Sequence, residues 1–229
     1  MKTQTRLELR FGLLALGLSG LLFVLSIAVR GPLDRNPASL MAAALSSNFV
    51  PGVTIGLIGG LVHIYGLFGL YRYLTYRRQS LTAFLAVVLS PLGIVLVLPL
   101  LTFLAVDVPV IAELYRQGHQ EVLAVFKSNF VGLGLAVLGV SSATGSIGAL
   151  LFAVAIWRDG ELSKWAGVLF GLSGILLALG GPGFFVVELL GALCLLISAG
   201  MIAWKGWQES MAAEGEIAAP PAVPDRRSG

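Results

Sequence analysis

The sequence predicts an all-α, polytopic transmembrane bundle of six helices with two short helices on its outer surface, and three observations carry that prediction. Only 12% of the 229 residues are charged and 57% are hydrophobic, whereas a soluble globular domain carries about 25% charged residues. Apolar runs of about 18 residues or more recur, long enough at roughly 1.5 Å per residue to cross about 30 Å of hydrocarbon. Lys and Arg gather at the ends of those runs, where they set orientation in a bilayer. The net charge of +3 and the pI near 9.2 are therefore read as topology, not as a nucleic-acid footprint.

The predicted membrane domain covers 1–207, with spans at about 11–29, 52–71, 81–106, 130–157, 165–179 and 184–204. Lys2, Arg6 and Arg10 precede the first run, and Ser26-Ile27-Ala28 near its end has the spacing of a signal-peptidase site. The run exceeds the roughly 7–15 residues of a signal-peptide core, so a retained helix is expected. The third run contains Pro91 and Pro99, which should bend it. The fifth is short and closes with Gly180-Gly181-Pro182-Gly183, a tight hairpin that makes the last two helices antiparallel neighbours.

Two outer connections have helical character of their own. Asn36-Pro37 is a cap followed by proline at the first helical position, and 38–46 is a strong helix-forming run. In 110–127, Ile111, Leu114, Tyr115, Val122, Val125 and Phe126 recur at helical spacing, interrupted at Gly118. The tail 208–229, rich in Ala and Pro, is expected to be disordered.

Eleven of the fifteen Lys and Arg residues fall at the N-terminus, the second and fourth connections and the tail. Arg30, Arg35, Arg116 and Lys127 lie on the other side, so the positive-inside rule places both termini in the cytoplasm. Trp157, Trp165, Trp204 and Trp207 all lie at the cytoplasmic helix ends, the headgroup level that indole rings favour.

Ionisable groups inside hydrocarbon are the first functional candidates, because each costs at least about 2.5 kcal/mol unless paired or hydrated. His63 and Glu188 stand out, with Tyr65 as a neighbour of His63. Gly52, Gly56, Gly59 and Gly66 share the helical face of His63, so that face is expected to meet another helix. His63 is either a proton-relay or ligand-contacting group or an interhelical hydrogen bond worth about 1 kcal/mol. Glu188 lies about 9 Å below the outer surface and His63 about 18 Å, so direct pairing would need tilt or a water. Glu188 is read either as lining a shallow outward cavity or as an ion pair with Arg30 or Lys127. Ser141, Ser142, Thr144 and Ser146, mixed with Gly139, Gly145 and Gly148, form either a polar lining or, more simply, a close-packing face.

Other chemistry finds little support. Cys194 stands alone, so no intrachain disulfide or cysteine metal cluster is expected. His119 lies in an outer connection while His63 is mid-membrane, which excludes a haem held between them. No metal, cofactor or nucleotide motif is present. Gly17-Leu18-Ser19-Gly20 recurs as Gly171-Leu172-Ser173-Gly174, which would suit a parallel repeat, but the neighbouring helices do not match. This Gly-x-Ser-Gly pattern also resembles that of rhomboid intramembrane proteases, which activate the serine with a histidine on a later helix. Ser173 has no later histidine and Ser19 would have to use His63.

The segment 156–169, Ile-Trp-Arg-Asp-Gly-Glu-Leu-Ser-Lys-Trp-Ala-Gly-Val-Leu, resembles a turn in a family of uncharacterised bacterial six-helix membrane proteins. In that family an aromatic-Arg-x-Gly turn ends one helix and Trp-x-Gly begins the next. The Asn36-Pro37 helix and the outer segment before the fourth span are similar as well. The resemblance implies a fold and no activity, and it carries over no catalytic residue. The expectation is thus a non-enzymatic accessory or small-solute permeation protein. Its partners are the bilayer and, through glycine-rich faces, a second copy or another membrane protein; no nucleic acid is expected. Proton-coupled transport through His63 and Glu188 is the alternative, and an intramembrane hydrolase a remote one.

Overall fold

A computed structural model describes residues 3–33, 36–77, 79–129, 134–180 and 183–218. Within them the regular structure is all helical: α1 (Thr3–Arg30), α2 (Pro37–Ala44), α3 (Phe49–Arg77), α4 (Leu81–Arg116), α5 (Glu121–Asn129), α6 (Leu135–Asp159), α7 (Lys164–Leu179) and α8 (Phe185–Ala218). Five of these helices contain stretches long and apolar enough to cross a membrane, in α1, α3, α4, α6 and α8, and the described fold fits a multi-pass membrane protein. Helix α7 is apolar but has 16 residues, a length of about 24 Å.

Local chemistry sets most of the boundaries. The Asn36 side chain accepts from Ala38 N at 3.0 Å, and Pro37 supplies a pre-set φ at the first position of α2. Ser80 Oγ accepts from Ala83 N at 3.3 Å and opens α4. Gly160 ends α6 at φ +81°, left-handed backbone that a side chain would strain.

Two predicted boundaries shift. The outer segment 110–127 is not one surface helix: its first half continues α4, because Val108 and Ala112 are buried against α2 and α5, and its second half is α5. Gly118, at φ +100°, reverses the chain between them. The predicted disorder from 208 onward gives way to helix as far as Ala218. There Arg10 sits over the Trp207 ring, 5.5 Å from its centroid, and Tyr73 Oη donates to Glu209 Oε1 at 3.0 Å, which tie the helix extension to α1 and α3. Residues 219–229 of the predicted tail, the start of the fourth span at 130–133, and Gly181-Pro182 lie outside the described residues.

Helix α1 packs on α3, α3 on α4, α4 on α6, α6 on α7, α7 on α8, and α8 returns to α1, so six helices close a ring in chain order. Glycine permits the closest approaches. A Cβ at Gly66 of α3 would lie 2.7 Å from Leu16 Cα of α1, and one at Gly93 of α4 would lie 2.7 Å from Gly145 Cα of α6. The predicted glycine stripe of α3 does meet a neighbour, and the neighbour is α1.

Two apolar cores result. The larger runs through the ring, from Leu13 and Leu16 to Phe152, Phe170 and Ile202. The smaller caps one end, where Leu40, Met41 and Ala44 of α2 and Phe126 of α5 pack on Phe49, Val53, Leu104, Val108 and Ala112.

Candidate functional site

The ring surrounds a partly open cavity of about 290 Å3 lined by all six of its helices. Along α4 the lining runs from Ser90 to Leu104, about 21 Å of helix. It therefore reaches from the capped end deep into the bundle. The walls are mainly apolar (Ile94, Val97, Leu101, Leu138 and Leu177 among them) with polar groups at both ends.

At the deep end stands His63. It is 8% exposed, edge-on to Phe23 at 5.8 Å and stacked with Phe170 at 6.3 Å. Ser19 Oγ lies 2.6 Å from Leu16 O and 2.8 Å from His63 Nδ1. When the hydroxyl donates to Leu16 O, Nδ1 is the donor to Ser19 and Nε2 an acceptor; when it donates to Nδ1, Nε2 carries the proton. Nε2 makes no hydrogen bond to a described residue. The two Gly-Leu-Ser-Gly segments thus flank the same imidazole: one supplies Ser19, and the other follows directly on Phe170.

At the capped end, Arg30 Nη2 donates to both oxygens of Glu188 at 2.8 Å. The position suits both partners. Arg30 closes the last turn of α1 and Glu188 lies in the first turn of α8, so each faces the helix-dipole end of opposite sign. Gly52 and Gly180 make room: a Cβ at Gly52 would lie 2.6 Å from Arg30 Cβ, and one at Gly180 would lie 2.5 Å from Glu188 N. The side chains are 6% and 19% exposed, and Arg30 Nε is buried without a hydrogen-bond partner.

Serine hydroxyls complete the lining, and most have their hydrogens bound to backbone. Ser26 donates to Gly52 O, Ser141 to Gly93 O, Ser146 to Gly174 O and Ser173 to Phe170 O, at 2.6 to 3.0 Å. Ser90 differs, since its Oγ is buried with no partner. The serine and glycine cluster of α6 therefore serves both sequence readings. Ser141, Ser142 and Ser146 line the cavity, while Gly145 and Gly148 bring α6 against α4. Thr144 bonds back to Val140 O at 2.6 Å and is not part of the lining.

His63 and Glu188 thus face one cavity at opposite ends, joined by no direct bond, while Tyr65 is elsewhere. It is 51% exposed on the outer surface of the ring, because two residues of helix turn a side chain about 200° away from His63. Sequence reasoning overlooked Ser90, whose only signal was a hydroxyl beside Pro91 in an apolar run. It also overlooked Phe23 and Phe170, which nothing distinguished from other apolar residues.

Among the described residues no group of three His, Cys, Asp or Glu side chains could hold a metal ion. Fold and cavity together define a helical membrane-protein type: an apolar ring around a partly open, partly polar chamber. No protein-family model, curated protein or solved structure matches the chain.

Proposed function

We propose that the protein is a non-enzymatic, six-span protein of a bacterial cytoplasmic membrane that binds or passes a small solute through its central cavity, entered from the outer face. One observation carries the reading: His63, Arg30 and Glu188, contributed by α3, α1 and α8, line a single chamber instead of three separate helix contacts. Buried ionisable groups are costly in a bilayer, and gathering them around an empty volume makes functional use of that cost. Helix α7 is counted as the sixth crossing. It packs between α6 and α8, and the roughly 6 Å by which it falls short of the hydrocarbon thickness is accommodated by local thinning or flanking residues. Its Lys164 and Trp165, with Trp157, Trp204 and Trp207, mark the cytoplasmic side, which puts the capped end outside.

The Ser19–His63 contact raises the hydrolase reading again, and its geometry argues against it. Ser19 is fully buried and outside the cavity lining, so its hydroxyl is out of reach of anything held in the chamber. The contact is better read as a positioning bond that holds the ring over the chamber floor.

The test uses Ser142→Cys in a Cys194→Ala background. A membrane-impermeant thiol reagent added outside should label it, and Val97→Trp should block the labelling. Uptake into cells or vesicles should fall in His63→Ala and in Glu188→Ala while both still assemble. Variants that lose only thermal stability in detergent would leave these residues a structural role alone.

A further inference from the structure

We infer that the solute is an uncharged, lipid-soluble molecule that enters the chamber sideways from the outer leaflet, through a slit between α6 and α7; this rests on the solute-binding reading above. The slit begins where the two helices part. In their cytoplasmic halves they are closely packed: a Cβ at Gly167 would lie 3.0 Å from Ala153 O, one at Gly171 3.0 Å from Ala153 Cβ, and Gly174 faces Ala149. The bond from Ser146 Oγ to Gly174 O, at 3.0 Å, lies at the outer end of this contact. Beyond it α6 follows α4, to which Ser141 Oγ is bonded at Gly93 O, and its edge toward α7 becomes bare. Ser142 there is half-buried, Gly139 and Leu135 are exposed, and a Cβ at Gly139 would meet nothing within 4 Å among the described residues.

Helix length widens the gap. Ser146 lies eleven residues from Trp157, about 16 Å, and so near the middle of a hydrocarbon layer about 30 Å thick. From that level α6 runs outward to Leu135, about 16 Å, whereas α7 ends at Leu179, about 8 Å beyond Gly174. The slit therefore faces the outer leaflet. Other sides of the outer end are covered. Helices α2 and α5 pack over α3 and α4. Arg30 and Glu188 join α1 to α8, and Gly183 N donates to Leu33 O at 2.7 Å beside them. Leu138 and Ser142 on one edge of the slit, and Leu177 and Ala178 on the other, are half-buried and line the chamber, so the slit leads into it. None of the four is charged. An ion crossing there would leave water without a countercharge at either edge, which selects an uncharged molecule. Ser142, which makes no hydrogen bond to a described residue, offers that molecule a hydroxyl.

The probe is trifluoromethyl-phenyl-diazirine, photolysed with the full-length protein in phosphatidylcholine nanodiscs, its insertion sites mapped by mass spectrometry. Insertion is expected at Phe23 and Ile94, which line the chamber, as well as at the lipid-facing Ile58 and Phe68. Ala178→Trp and Leu138→Trp, one on each edge of the slit, should each lower chamber insertion at least about tenfold by overpacking the opening, and leave insertion at Ile58 and Phe68 unchanged. Elution profile and thermal stability show that each variant still assembles, and either one suffices. A derivative carrying a trimethylammonium group should label the lipid-facing sites alone; equal insertion at Phe23 overturns the uncharged class. Chamber insertion indifferent to both tryptophans overturns the slit. So does its absence in the parent protein while Ser142→Cys still labels from outside, and the chamber then stands with a watery entrance only. Loss of both signals removes the chamber and its entrance together.

Discussion

Removing Glu188 should destabilise the protein far more than removing Glu188 and Arg30 together. In Glu188→Ala the Arg30 side chain, 6% exposed in the intact pair, is left in buried surroundings without its counter-charge. It loses both bonds of 2.8 Å and already has an unpartnered Nε. Stranding one charge of a buried pair costs about 3–5 kcal/mol. For a chain of this size each kcal/mol moves Tm by about 2–4 °C, so a fall of about 6–20 °C is expected. The converse variant, Arg30→Met, strands a carboxylate that is 19% exposed, and it belongs at the lower end of the same range, about 3 kcal/mol. Arg30→Met/Glu188→Leu removes both charges and fills their volume, and should unfold within about 1 kcal/mol of the parent. The assay is thermal unfolding of the four proteins in one detergent, read as a double-mutant cycle at low and high salt. Burial should make the coupling insensitive to salt. The pair Arg72–Glu8, with side chains 56% and 43% exposed, is the control, and breaking it should cost at most about 1 kcal/mol. If the two single losses simply add in the double variant, Arg30 and Glu188 are not coupled and the rim as described is wrong.

Other consequences are quicker to check. Gly66→Leu places a side chain against Leu16 backbone that cannot yield, and overpacking of about 1–3 kcal/mol should lower Tm and part α1 from α3, which crosslinking between the two helices would register. Ser19→Ala removes a hydroxyl from His63 and should cost about 1 kcal/mol or less in detergent stability with little loss of uptake; a complete loss of uptake would restore Ser19 to the chemistry. Asn36→Ala deletes the α2 cap and should cost about 0.5–2 kcal/mol, appearing as faster hydrogen exchange confined to α2 and its contacts on α4.

The class of protein was legible before any coordinates, because apolar runs of spanning length have few other uses. Caps and turns were legible for the same local reason: Asn36-Pro37, Gly118 and Gly160 act on their immediate neighbours. The glycine stripe of α3 announced a close helix contact without naming the partner. Which polar groups meet was not legible. Ser19 and His63 are 44 positions apart, and Arg30 and Glu188 are 158. In a soluble bundle the apolar face of each helix would have pointed inward and narrowed the choice. In a bilayer the lipid-facing and core-facing sides are both apolar, so periodicity says little about which way a helix is turned. Tyr65 shows the consequence, close to His63 in sequence and on the opposite side of the helix. The sequence by itself thus determined the all-helical, multi-pass membrane class, several local caps and turns, and the candidate ionisable groups. The ring closure of α1 onto α8, the chamber it encloses, and the meeting of Arg30 with Glu188 at its rim were decided only by tertiary packing, where small residues choose partners that hydrophobicity cannot distinguish.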